Sequence, residues 1–436
     1  MPVAADDDTP LRDDEAAALF APLRRYGLVA LAVSGGGDST EMLHLFDRWR
    51  RTIPDAPDAI VFTVDHGLRA EAAAEAAGVG LVCAKLGLSH RTLRWEGPRP
   101  ETGIQEAARG ARYALMIEEM GRRGAEALLL AHTRDDQAET FLDRLARGSG
   151  VYGLAAMAPV SRRDGVDLVR PLLDVSRARL RTTLRAAGIY WVEDPSNEDC
   201  HYRRVRMRRL LPTLADENLD AQRLASTARS MARAAAALDG WVDRVMDEEV
   251  TRHPAGPCRL EAALLSRLPE EIALRLCARL VRDTGGGAHV PRLARLEAAV
   301  ADLSSAEADL SSAEGRRTLA GCVLERRGAD ILIYREIGRA GLEAVDVAPG
   351  QTGIWDGRFA VTLSADAAGP VRIAALGAGG LRRAGLVPPE GWPRDAFAGA
   401  PAVRWEGEVL ALPGFELAPV AGWRGSVQAR PIAAIS

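Results

Sequence analysis

Lysine is almost missing from this chain of 436 residues: Lys85 is the only one among 56 basic side chains. A Walker-type phosphate loop needs a lysine beside its glycines, so that nucleotide-binding motif is excluded. A ligase that forms a covalent lysine–nucleotide intermediate would have Lys85 as its only candidate.

Paired cysteines and long apolar runs are missing as well. The five cysteines are scattered, with no CxxC pair: Cys83, Cys200, Cys258, Cys277 and Cys322. Zinc knuckles, iron–sulfur sites and a disulfide framework are therefore not expected. No apolar run reaches the length of a membrane span, and residues 6–8 make the N-terminus acidic rather than signal-like. We therefore expect a cytoplasmic protein without a membrane segment.

A strong excess of charge is the third absence. The net charge is -4, so any binding of nucleic acid has to rest on a local basic patch. With 47% hydrophobic and 27% charged residues the composition is that of a globular protein, and the length indicates two or three domains.

A glycine-rich loop stands between an apolar segment at 28–33 and an amphipathic run at 40–49. This glycine loop consists of Ser34, Gly35, Gly36, Gly37, Asp38 and Ser39. Strand, glycine turn and helix in this order make an anion site, because backbone N–H groups converge on the positive end of the helix. Asp38 is placed either to bind Mg²⁺ or to cap the following helix, and both roles stay open.

Strand-like and helical segments alternate through the first 131 residues. Strands are predicted at 28–33, 59–64, 89–95 and 127–131, and helices at 11–25, 40–49, 71–86 and 101–121. The alternation predicts an α/β fold with a parallel sheet covered on both faces. Polar groups follow three of the strands, at 34–39, 65–69 and 132–139, and we expect them to form one site at the carboxyl edge of the sheet.

Two carboxylates in the third polar segment have the spacing of one helix face. If a helix begins near Asp135, then Asp136 and Glu139 lie on the same side of it. Such a pair can hold a metal ion, or seat an amine and accept its proton. A solvated, acidic helix start explains the spacing equally well.

The glycine loop and its flanking elements resemble the pyrophosphate loop of the N-type ATP pyrophosphatases. Four further blocks resemble tRNA(Ile)-lysidine synthetases in the family's order: 64–69, 108–113, 131–154 and 194–197. The resemblance covers about residues 28–212 and is weak after 220. It implies an adenine nucleotide α-hydrolase-like PP-loop domain at 1–214. We expect a mainly helical tRNA-binding domain at 220–336 and a small β-rich domain at 337–436.

The same resemblance implies a two-step reaction on a tRNA(Ile) with a CAU anticodon. The cytidine O2 attacks the α-phosphate of ATP and releases pyrophosphate, and the ε-amine of L-lysine then attacks C2 and releases AMP. By resemblance, the glycine loop with Val64 and Asp65 binds ATP, and Asp38 takes Mg²⁺. Asp136 and Glu139 recognise lysine, while Arg112 and His132 complete the site.

A basic run at 203–209 is the local patch that a tRNA would need. We expect Arg204, Arg206 and Arg208 to contact the tRNA backbone, with a solvated arginine face as the alternative. Val205 stands where the family usually has an asparagine, so that residue's contact is missing from this chain.

Three other functions remain as alternatives. A tRNA thiolation enzyme shares the loop but works through paired cysteines, and a small-molecule synthetase such as one that makes argininosuccinate gives the arginine run no purpose. A nucleotide-binding regulator without turnover belongs to another class. The oligomeric state stays open, with a homodimer among the alternatives, and residues 302–315 contain a near-repeat that is read as a local duplication.

Overall fold

A six-stranded sheet lies at the centre of the N-terminal half. The protein is described by a computed structural model over residues 8–65, 72–95, 104–192, 203–287, 291–304 and 316–432. The chain divides into two compact units, Met1–Ala236 and Ala237–Ser436. The three domain ranges given above stay a prediction.

The strands of this sheet are β1 (Leu28–Ala32), β2 (Asp58–Asp65), β3 (Ser89–Arg94), β4 (Ala127–Leu129), β5 (Val160–Arg163) and β6 (Val166–Val169). Their order is β3-β2-β1-β4-β6-β5, with β5 antiparallel to β6 and all other pairs parallel. The predicted parallel sheet is confirmed. The β5–β6 hairpin was not predicted, because its short strands carry charges and lack an apolar run.

Helices alternate with these strands in the first unit. They are α1 (Asp13–Phe20), α2 (Gly37–Arg50), α3 (Ala72–Leu86), α4 (Ile104–Arg123), α5 (Arg134–Leu145), α6 (Val151–Leu154), α7 (Arg177–Ala186), α8 (Arg203–Asp216) and α9 (Ala221–Glu249), which continues into the second unit. The predicted helix at 11–25 is only partly correct: residues 21–25 form a 3₁₀ turn, in which Pro22 has no N–H to donate to an α-helical ladder.

Successive residues of the central strand face opposite hydrophobic cores. Val29 and Leu31 of β1 pack with Phe46 of α2 on one face, and Ala30 packs with Met116 of α4 on the other. Burial on both faces is what a parallel sheet between helix layers requires. The same layers put the carboxyl ends of β1, β2 and β4 at one edge.

The second unit combines helices with three sheets. Its helices are α10 (Ala262–Arg267), α11 (Glu270–Gly285), α12 (Leu293–Ser304) and α13 (Gly380–Arg383). Its first strands are β7 (Val250–Arg252), β8 (Cys258–Glu261), β9 (Arg316–Leu319), β10 (Cys322–Arg327) and β11 (Asp330–Arg335). They form a sheet in the order β7-β8-β11-β10-β9. Of these strands, β7 and β8 lie within 221–302, where the periodicity indicated helices alone.

Strands dominate the C-terminal part, as predicted. They are β12 (Val345–Val347), β13 (Thr352–Trp355), β14 (Phe359–Leu363), β15 (Val371–Ala375), β16 (Pro401–Trp405), β17 (Glu408–Ala411) and β18 (Val427–Pro431). They form sheets in the orders β12-β15-β16-β17 and β13-β14-β18. Most of the near-repeat lies outside the described residues. Within the described ranges, no helix has the length and apolar character needed to cross a membrane.

A buried acid on α2 makes stability depend on pH. Glu41 is 2% exposed, and its Oε2 has no hydrogen-bond partner among the described residues. Burial raises the pKa of Glu41 to about 8, although Arg48 opposes this. The folded state therefore keeps a proton that the unfolded chain releases, and stability falls as the pH rises from the ordinary glutamate value toward 8.

Glu41→Gln removes this titration. We expect the variant to be more stable than the wild type by on the order of a few kcal/mol near pH 8.5, and by much less near pH 5. Urea midpoints at both pH values measure the difference. Glu118→Gln, at an exposed position, is the control. The prediction is contradicted if the stability difference between Glu41→Gln and the wild type is the same at both pH values.

Candidate active site

The glycine loop connects β1 to the first turn of α2. Gly35 has a left-handed backbone with φ of 88°, and Gly36 is the N-cap of α2. The Ser34 N–H donates to Ser39 Oγ at 3.2 Å, and that hydroxyl donates to the Gly36 carbonyl at 3.0 Å. Because the first N–H groups of a helix have no partner within it, this end of α2 is a site for a phosphate.

A later segment packs against the glycine loop. The Val192 N–H donates to the Gly35 carbonyl at 3.1 Å, and residue 192 forms a parallel bridge with Gly36. The ring of Trp191 lies so near that a Cβ on Gly37 would be 3.2 Å from it. The sequence did not indicate this contact, because nearly 160 positions separate its two sides.

Gly35→Ala tests the loop geometry. Left-handed backbone costs a non-glycine residue of order 1–3 kcal/mol, so Gly35→Ala shifts the loop away from its phosphate-binding conformation. Because fewer molecules are then competent to bind, we expect the KM for ATP to rise about tenfold or more. ATP–pyrophosphate exchange at varied ATP measures it. Gly78→Ala on α3 is the matched control, since a Cβ there meets nothing within 4 Å. Equal KM values for the two variants contradict the prediction.

The acidic pair lies at the start of α5 and is buried. Asp136 and Glu139 have side chains that are 8% and 0% exposed, so they do not form a solvated helix start. Thr133 is the N-cap, and its N–H and hydroxyl donate to Asp136 Oδ2 at 2.8 and 3.1 Å. Thr133 therefore occupies one carboxylate oxygen of Asp136, and the other, Oδ1, accepts from arginines.

Three guanidinium groups surround this pair. Arg204 donates to Asp136 Oδ1 and to Glu139 Oε2, both at 2.6 Å. Arg208 Nε donates to Glu139 Oε1 at 2.7 Å, and Arg177 donates to Asp136 Oδ1 at 2.8 Å. Although burial opposes it, Arg204 and Arg177 lower the pKa of Asp136 to about 2. The carboxylate of Asp136 is therefore ionised at neutral pH, and its charge is balanced by the arginines that contact it.

Asp38 of the glycine loop belongs to the same cluster. Its Oδ2 accepts a hydrogen bond from Arg177 Nε at 3.1 Å. Burial raises the pKa of Asp38, and Asp136 adds to the rise, whereas Arg177 opposes it. No side chain caps α2, so the capping role that the sequence left open for Asp38 is not the one observed.

Asp38 suits an Mg²⁺ ion that is shared with a nucleotide. Its carboxylate is 26% exposed beside the helix N-terminus that would receive the phosphates. The described ranges contain no group of three or more metal-ligating side chains. Mg²⁺ usually binds through one or two carboxylates together with substrate phosphates, and that donor set fits this position.

The charge of Arg204 affects the pKa values of both His132 and Arg112. Burial lowers the pKa of His132 to about 3, with Asp136 opposing this effect and the charges of Arg204 and Arg109 adding to it. The imidazole is therefore neutral, and its buried Nδ1 has no hydrogen-bond partner in the described structure. Burial also lowers the pKa of Arg112, to which the charges of Arg109 and Arg204 contribute.

The remaining predicted site residues lie at the edges of this cluster. Asp65 ends β2, is 6% exposed and lies 3.6 Å from Arg94, while Val64 is half-buried. Arg206 is exposed on α8. The predicted segments 66–69 and 194–197 lie outside the described residues. The ligand contacts assigned to all these residues stay predictions.

Arg177 is the site residue that the sequence did not single out. It is the first residue of α7 and contacts Asp38, Asp136 and Glu139. One signal was available: a basic residue at the positive end of a helix is unfavourable unless acidic groups surround it.

Comparisons with known proteins give the family of the chain. The PP-loop domain family matches residues 12–214. A tRNA(Ile)-lysidine synthase of Bradyrhizobium diazoefficiens is 44% identical over 344 residues, 75% of this chain and 95% of the relative. A tRNA(Ile)-lysidine synthase of Ruegeria pomeroyi is 43% identical over 406 residues, 92% of this chain and 90% of the relative. Among solved structures, the U34-tRNA thiolase NcsA from Methanococcus maripaludis has a TM-score of 0.44 at 17% identity, covering 51% of this chain and 78% of its own.

Proposed function

The chain belongs to the tRNA(Ile)-lysidine synthase family, and from this membership we propose how its residues convert the wobble cytidine of tRNA(Ile) to lysidine. As a member of the family it is a C–N ligase that acts on tRNA with ATP, and its PP-loop domain spans residues 12–214. The tRNA substrate makes the cytoplasm the proposed location.

The first step takes place at the glycine loop. The cytidine O2 of a CAU anticodon attacks the α-phosphate of ATP, the bond to the β-phosphate breaks, and pyrophosphate leaves. The N-terminus of α2 and the hydroxyls of Ser34 and Ser39 bind the leaving group. Asp38 would hold Mg²⁺, which neutralises phosphate charge when bound.

The second step takes place at the acidic pair. The ε-amine of L-lysine attacks C2, the C2–O2 bond breaks, and AMP departs with the oxygen. Asp136 and Glu139 bind the ammonium form. Asp136 stays ionised beside its arginines, and Glu139 accepts a proton as the amine becomes nucleophilic. One observation carries this assignment: Asp136 and Glu139 are buried next to Asp38, and arginine side chains bind the carboxylate oxygens of the pair.

Arg204 and Arg208 have two classes of partner in this proposal. In the structure they bind the acidic pair, and tRNA phosphates are the partners predicted from the sequence. Guanidinium binds phosphate and carboxylate with the same bidentate geometry. Phosphates of a bound tRNA would therefore compete with Asp136 and Glu139 for these two arginines.

The thiolation alternative gains no support. The four described cysteines, Cys83, Cys258, Cys277 and Cys322, are buried and free. Burial raises the pKa of Cys83 and Cys258 to about 11, so neither supplies a thiolate at neutral pH.

The decisive experiment incubates the purified protein with a CAU-anticodon tRNA(Ile) transcript, ATP and labelled L-lysine. We expect label in the tRNA and release of AMP and pyrophosphate. A transcript with uridine at the wobble position is the control. No label in the first transcript, or equal label in both, sinks the proposal.

A further inference from the structure

Arg177 joins two parts of the site that come from different elements. Its Nε lies 3.1 Å from Asp38 Oδ2, and its terminal nitrogens lie 2.8 Å from Asp136 Oδ1 and 3.5 Å from Glu139 Oε1. Asp38 belongs to the glycine loop and the other two carboxylates to α5. One planar group thus contacts both the ATP side and the amine side.

Without these carboxylates, a positive charge at the position of Arg177 would be electrostatically unfavourable. It occupies the first position of α7, where the helix dipole disfavours a cation. Its own N–H donates to Asp135 Oδ2 at 2.8 Å, so backbone and side chain are both held. The side chain is only 15% exposed. Because both its backbone N–H and its guanidinium are hydrogen-bonded, Arg177 keeps a fixed distance between the carboxylates that it contacts.

Arg204 and Arg208 differ from Arg177 in exposure. Their side chains are 42% and 34% exposed, and they approach the acidic pair from α8. Neither has a described contact with Asp38. These two outer cations are therefore more accessible to an exchanging ammonium than Arg177 is.

We propose that Arg177 is a positioning residue that holds Asp38 and the Asp136–Glu139 pair in register, so that lysine bound at the pair reaches the cytidine activated at the glycine loop. This inference rests on the proposed function. Without the guanidinium, the direct link between Asp38 and the acidic pair is lost, and repulsion between Asp38 and Asp136 moves the two parts of the site apart. The chemistry of each half remains, but the transfer between them is lost.

Arg177→Ala and Arg177→Lys test the assignment. For Arg177→Ala we expect the kcat of lysine transfer to fall about a hundredfold, as for a reacting pair displaced by an ångström, with a much smaller fall in ATP–pyrophosphate exchange. Millimolar guanidinium chloride is expected to restore part of the transfer in this variant. Arg177→Lys keeps the positive charge but lacks the planar set of donors that contacts several carboxylates at once. We expect its kcat for lysine transfer to lie between those of the wild type and Arg177→Ala.

Arg24→Ala, which removes an exposed arginine paired with Asp55, is the control and is expected to behave as the wild type. Wild-type transfer with Arg177→Ala overturns the inference, as does a loss that neither guanidinium nor Arg177→Lys relieves. Should Arg177→Ala fail to melt cooperatively, Arg177→Lys decides: a lower kcat supports the inference, and a higher KM for lysine alone contradicts it. Absence of transfer in the wild type marks failure of the proposed function instead.

Discussion

Asp136→Asn is expected to abolish lysine transfer while ATP–pyrophosphate exchange persists. The substitution keeps the shape of the side chain and removes a charge that two arginines share in a buried site. The lysine ammonium would also lose a charged partner. Removing one partner of a buried, hydrogen-bonded charge pair costs about 2–5 kcal/mol of binding, and about 4 kcal/mol lost in the transition state lowers transfer by roughly a thousandfold. Exchange depends on the glycine loop and on Asp38, neither of which the substitution removes.

Transfer of labelled lysine and exchange of labelled pyrophosphate are measured on the same preparation. Asp164→Asn is the matched control, because it removes an exposed carboxylate at a hairpin turn where asparagine tolerates the positive φ. If exchange disappears together with transfer in Asp136→Asn, the carboxylate serves the nucleotide or its metal ion and not the amine.

Asp38→Asn is expected to produce a different pattern, in which both lysine transfer and ATP–pyrophosphate exchange fail. Its carboxylate would hold Mg²⁺ beside the phosphates, and metal stabilisation of phosphate charge contributes several kcal/mol. We therefore expect exchange and transfer to fall together by about a thousandfold. Excess Mg²⁺ is expected to recover part of the activity if the metal is held less tightly.

Exchange rates at varied Mg²⁺ concentration check this expectation. Asp55→Asn removes an exposed carboxylate from the same unit and serves as the control. Near-normal exchange in Asp38→Asn would show that Asp38 acts only through its contact with Arg177, and would remove the metal from the proposal.

The order of the elements around the loop was readable from local pattern. Apolar runs at 28–33 and 127–131 and the glycines between strand and helix predict a parallel sheet with an anion site at its edge. Local pattern failed where a single residue changed the geometry: Pro22 ends the first helix early, and α2 begins at Gly37, inside the loop, instead of at residue 40.

The acidic pair shows the limit of spacing arguments. A separation of three residues puts Asp136 and Glu139 on one face, but burial and solvation are both compatible with that face. Only packing shows that the two side chains are nearly inaccessible and that Thr133 occupies one oxygen of Asp136. Burial depends on which other helices and strands pack against α5, and the spacing of two residues carries no information about them.

The sequence by itself determined which chemical groups are present: a glycine loop for phosphate, a carboxylate beside it, two carboxylates on one helix face and a run of arginines. The tertiary structure alone decided which cation neutralises which acid. Arg177 lies 139 positions from Asp38 and 41 from Asp136 along the chain, yet its guanidinium contacts both. Ion pairs act over a few ångströms, and distances that short between remote residues exist only after the sheet and its helices have packed.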